Sequence, residues 1–60
     1  MDKLFVIVGS DNRVQGFTRW EDYTQLHPDV RLIEIDESNE VWLSDKPQDY
    51  VYQGGTFVKA

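Results

Sequence analysis

The apolar positions open with one unbroken block, Leu4-Phe5-Val6-Ile7-Val8, and continue in shorter, interrupted groups. Four of those five residues are β-branched or aromatic, which predicts a strand buried on both faces with the rest of the chain organised around it. Periodicity alone would also allow a buried helical turn, but Gly9-Ser10-Asp11-Asn12 follows at once and marks a turn, so strand is preferred. The turn at Ser10-Asp11-Asn12-Arg13, where Asn or Asp takes a left-handed conformation cheaply, leads to a second strand, Val14 to Phe17, pairing antiparallel with the first. Gly16 inside it suggests a bulge or a close backbone approach. Thr18-Arg19-Trp20-Glu21 then has the pattern of a capping box and predicts a helix start. Trp20, Tyr23 and Leu26 recur on one side of that helix, and Pro28 ends it. So short a helix is unstable alone, so its apolar stripe is expected to dock on the sheet.

Val30-Arg31-Leu32-Ile33-Glu34-Ile35 reads as a strand whose alternation slips between Leu32 and Ile33, through a bulge or through partial burial of both faces. Asp36-Glu37-Ser38-Asn39 is a polar turn, Val41-Trp42-Leu43 a short strand, and Ser44 to Asp49 a loop pinned by Pro47. The end of the chain carries the clearest local signal. Tyr50 to Gln53 and Thr56 to Lys59 alternate, and Gly54-Gly55 joins them as a two-residue turn that needs positive φ. The expected architecture is a single α+β domain spanning 1–60, a small antiparallel β-meander sheet with one short helix after the first hairpin.

Length sharpens one consequence of this pattern. A domain of 60 residues buries only about 60% of its unfolded surface. With no cysteine and one histidine, neither a disulfide nor an ordinary structural zinc site can staple it. Eight aromatic rings remain to build the core, and one helix can cover only one face of the central strand. The expectation is therefore a homo-oligomer, a dimer or larger, held by the sheet face opposite the helix.

Charge narrows the partners. Six basic against eleven acidic residues give a net charge of -5, which argues against direct nucleic-acid binding through phosphates and against an anionic membrane surface. Glu34, Asp36, Glu37, Glu40, Asp45 and Asp49 are opposed in their stretch only by Lys46. Met1-Asp2-Lys3 precedes an apolar run too short for a secretory signal or a membrane span, so a soluble, cytoplasmic protein is expected, and the absence of cysteine fits a reducing compartment.

Candidate chemistry is sparse, and no cofactor, metal or catalytic activity is expected. Asp36 to Glu40 offers oxygen ligands without the glycine and carboxylate spacing of a calcium loop, so a hydrated turn is the better reading. His27 lies near Glu21 and Asp22 in sequence, yet a histidine before a helix-ending proline more often serves the helix terminus. No serine or threonine is recognisably placed for a triad, and Gly9-Ser10 and Gly54-Gly55 lack the setting of a phosphate loop. Trp42, Tyr50, Tyr52 and Phe57 could offer a stacking platform, although rings so spaced more often pair across strands.

Phe5 to Phe17, with its apolar strand, polar turn and glycine-containing second strand, resembles the opening of many short acidic bacteriophage proteins, and Pro47 to Lys59 is similar to the C-terminal hairpin of such proteins. The resemblance covers under half the chain and implies a phage-encoded accessory protein, either a virion component or an inhibitor of a host protein. Three readings follow. The preferred one is a non-catalytic, self-associating protein-binding module. The alternative is an acidic DNA mimic that inhibits a host nucleic-acid-binding enzyme through the six carboxylates named above. The third, a small enzyme or ligand-binding domain, lacks a recognisable set of convergent polar groups. On the first two readings a protein partner is contacted by Trp42, Tyr50, Tyr52 and Phe57, or by Glu34, Asp36, Glu37, Glu40, Asp45 and Asp49.

Overall fold

A computed structural model describes residues 3–60; Met1 and Asp2, which open the stretch read as lacking a secretory signal, lie outside the described residues. The chain runs β1 (Leu4–Val8), β2 (Val14–Thr18), α1 (Tyr23–Leu26), β3 (Arg31–Ile35), α2 (Glu40–Leu43), a 3₁₀ turn (Pro47–Asp49), β4 (Tyr50–Gln53) and β5 (Thr56–Lys59). This is the expected α+β class, with antiparallel strands throughout. They form two sheets, one of three strands in the order β2-β1-β3 and one made of the β4-β5 hairpin.

The apolar block does form the central strand, and all five of its residues are buried. Successive side chains point to opposite faces. On one face Val6 and Val8 join Val14, Val41 and Phe57 in the core, with Phe17, Ile33, Ile35, Tyr50 and Tyr52 packed around them. That face is thus closed by α2 and the C-terminal hairpin, the surface that the sequence left for a second copy. The other face carries Phe5 and Ile7, each 8% exposed. The side chains of β1 are thus buried on both faces within one chain, the first face through α2 and the hairpin.

Local chemistry explains the turns. Asn12 takes φ 67°, while Gly9 both donates to Arg13 O and accepts from Asn12 N at 2.9 Å. Asp11 Oδ1 accepts from Arg13 N at 3.1 Å, closing the loop. The register against β1 then jumps from Ile7↔Gly16 to Val8↔Val14, so Gln15 is the extra residue of a bulge beside Gly16. Gly54 and Gly55 have φ 63° and 85°, as their two-residue turn requires. β3 pairs with β1 in unbroken register from Leu4↔Ile35 to Val8↔Arg31, so the slip between Leu32 and Ile33 reflects half-burial of both and not a bulge.

Three expectations fail locally. Val41-Trp42-Leu43 is not a strand but the body of α2, a second helix. Asn39 caps it, its Oδ1 accepting from Val41 N at 3.0 Å, and Val41 is fully buried, so a cap and one anchoring side chain override the strand preference of the three residues. The capping box does not form either. Thr18 is still paired with Phe5 at the end of β2, and its hydroxyl accepts from Trp20 N at 3.1 Å, making a turn. Helix α1 starts only at Tyr23, with no side-chain cap on Asp22. Finally, the stripe of that helix does not dock as a whole: Trp20 is 48% and Leu26 68% exposed.

Candidate functional site

Of the four rings predicted to contact a partner, Phe57 is buried and Trp42, Tyr50 and Tyr52 are half-buried. Phe57 is buried and pairs across the hairpin with Tyr52, ring centroids 5.0 Å apart, while Tyr50 and Tyr52 line the core. Trp42 meets the edge of Phe17 at 4.9 Å. Arg31 lies over Tyr52 and donates to the side chain of Asn12, and Arg19 lies over Trp42, each guanidinium 5.9 Å from its ring centroid. These contacts engage part of each ring in cross-strand and inter-element packing.

The six carboxylates separate into two groups. Glu34, Asp36 and Glu37 gather with Lys3, Leu4, Arg19 and Ile35 around an open cleft of about 700 Å³ at one end of the three-stranded sheet. Glu40, Asp45 and Asp49 lie outside that lining. Within the cleft Arg19 bridges Glu37 at 2.6 Å, and both side chains are exposed, so the pair adds little to stability while cancelling one negative charge. The Ser38 hydroxyl, and then its backbone N–H, donate to Asp36 and hold that carboxyl below its ordinary value of 3.8. A general acid at neutral pH needs the opposite shift. Among the described residues no three of His, Cys, Asp or Glu converge to hold a metal ion, and no helix is long and apolar enough to cross a membrane.

A different surface gathers the exposed rings of Trp20 and His27 around half-buried Tyr23. Trp20 meets Tyr23 edge to face, centroids 6.4 Å apart, and Tyr23 stacks on His27 at 4.4 Å. His27 closes α1 by donating its N–H to Tyr23 O at 3.1 Å, and its ring goes to Tyr23 and not to Glu21 or Asp22. Leu26, exposed, is the last residue of the helix and precedes His27 in the chain. The row is held from behind: Thr18 fixes Trp20, Lys3 approaches Glu21 at 3.9 Å, and Val30, buried, donates to His27 O at 3.3 Å. The recurrence of Trp20, Tyr23 and Leu26 predicts a docked stripe, yet a three-residue recurrence is the same whether the stripe is covered or bare. No protein family, curated protein or solved structure matches the chain.

Proposed function

We propose that this chain is a non-catalytic protein-binding module that presents the α1 face to its partner. The observation that carries the reading is the exposure of Trp20 and Leu26 next to the Tyr23–His27 stack. Large apolar side chains grouped on a surface mark interaction sites, and aromatic residues supply most of the binding energy where such sites are studied. The six carboxylates support the DNA-mimic alternative less well, since Glu37 is paired with Arg19 and only three of the six share the cleft. The resemblance of the two terminal hairpins supports a phage-encoded accessory protein, acting in the cytoplasm of the cell in which it is made. Immobilised wild type, a Trp20→Ala/Leu26→Ser variant and a Glu34→Gln/Asp36→Asn/Glu37→Gln variant should be compared for capture from a host lysate. A protein held by the wild type and the amide variant but lost from the α1 variant is the expected result. Loss from the amide variant with retention by the α1 variant would favour the DNA mimic.

A further inference from the structure

The two outer strands of the three-stranded sheet are treated differently. The β2 side is covered by the 3₁₀ turn and β4, and the loop before β2 is tied on by the Arg13↔Val51 bridge and by Tyr52 N donating to Asn12 O at 2.7 Å. β3 pairs only with β1, and among the described residues no backbone hydrogen bond reaches it from any other element. Natural proteins usually blunt such an edge with short length, charged side chains, a bulge, a proline or a covering element. β3 is five residues long, carries exposed Arg31 and Glu34 and has α1 packed near it, but it has no bulge or proline and its backbone edge is unpaired; Leu32, Ile33 and Ile35 along it are half-buried.

Alternation along β1 identifies the free groups. Gly9 directs both its N–H and its C=O to the β2 side, so Ile7 and Phe5 do the same, and Leu4, Val6 and Val8 turn theirs toward β3. Their partners Ile35, Ile33 and Arg31 are therefore satisfied by β1, and Leu32 and Glu34 point their backbone groups outward.

We infer that β3 is a self-association edge, on which the β3 strand of a second copy pairs antiparallel about a two-fold axis at Ile33. In that register Leu32 of each copy faces Glu34 of the other, and all four outward donors and all four outward acceptors of the two strands are used in four hydrogen bonds. Shifting the axis to Leu32 would instead bring Glu34 opposite Val30, whose N–H already serves His27 O. Axes at Arg31 or Glu34 would oppose like charges directly. The second copy is thus selected by the edge itself, and the contact uses the strand's edge and not the sheet face closed by α2 and the hairpin. A two-fold axis normal to the sheet preserves its faces, so both α1 surfaces lie on the same side of the resulting six-stranded sheet, and the pair can grip a repeated or surface-bound partner through two sites at once. One strand pair makes a small interface, below the roughly 1,200 Å² typical of stable complexes, so the association is weak and concentration-dependent.

Sedimentation equilibrium over a concentration series, with residue-resolved amide exchange at its two ends, tests this independently of whether α1 binds anything. The expected result is a mass rising toward that of a dimer, with the Leu32 and Glu34 amides gaining protection of tenfold or more as it rises, while Ile33 is protected throughout. Glu34→Pro removes an outward donor, leaves the β1 ladder intact and should keep the chain folded but monomeric. Should that variant unfold, the wild-type exchange pattern still decides the matter. A chain that is monomeric at every concentration, or a dimer in which Leu32 and Glu34 exchange freely while other amides become protected, overturns the proposal.

Discussion

The two helices are each four residues long, and they do opposite work. α2 has a side-chain cap from Asn39, an acidic residue in its first turn and Val41 with no exposed surface. α1 has no side-chain cap and no buried residue; it ends on the exposed Leu26 and follows the exposed Trp20. Neither could persist as an isolated peptide. α2 exists because one valine plugs the core. α1 is held by its neighbours, through the Thr18 turn, the His27 terminus and buried Val30, and Leu26 and the preceding Trp20 are left exposed. A short helix whose apolar residues are needed by the core is structural; one whose apolar residues are left outside is available for a partner.

The comparison breaks most sharply at Val41. Val41→Ala should destabilise the fold by about 2 kcal/mol, from lost burial and the cavity left between α2 and the sheet. Chemical denaturation should show a lower midpoint with an unchanged slope. Asn39→Ala should cost about 1 kcal/mol, a usual loss for an N-cap, read in the same experiment. The corresponding change on the other side, Thr18→Ala, should cost less, about 0.5 kcal/mol, because it removes a turn hydrogen bond and not a helix cap. A Thr18 effect as large as that of Asn39 would mean that α1 depends on its cap after all.

The smallest expected effect comes from Asp36. Its carboxyl is held below the ordinary value by Ser38, so the stabilisation is fully present above the unfolded value of 3.8 and is lost as pH falls through the lower folded one. Ser38→Ala should move the Asp36 titration, followed by NMR, back up toward the ordinary value. The pH dependence of unfolding should flatten slightly below pH 4, the region that follows from the unfolded value.

How much of this was legible from the residues differs between the same two regions. The central strand, its left-handed turn at Asn12, the disturbance near Gly16 and the Gly54-Gly55 hairpin all followed from local chemistry, because each is fixed by residues adjacent in sequence. α2 was misread because Val41, Trp42 and Leu43 favour strands when taken alone. The available signal was Asn39 before Glu40, a cap followed by an acidic first turn. The capping box at Thr18 failed for the converse reason: a matching local pattern lost to the β1 pairing that keeps Thr18 extended. The candidate site was the least legible part. Of the four rings with apparent surface potential Phe57 is buried and Trp42, Tyr50 and Tyr52 are half-buried in internal contacts, while the row with the most exposed rings had the spacing of a docked stripe. Which apolar residues are surplus depends on how completely other segments fill the core, and that is a property of the whole fold.

The central claim is that Trp20 and Leu26 are surplus to the fold. Equilibrium denaturation of Trp20→Ser/Leu26→Ser beside the wild type and Val41→Ala tests it most directly. The double variant should unfold with a free energy within about 0.5 kcal/mol of wild type, as for substitutions on an open surface. A loss of about 2 kcal/mol or more, comparable to Val41→Ala, would place these side chains in the core and contradict it.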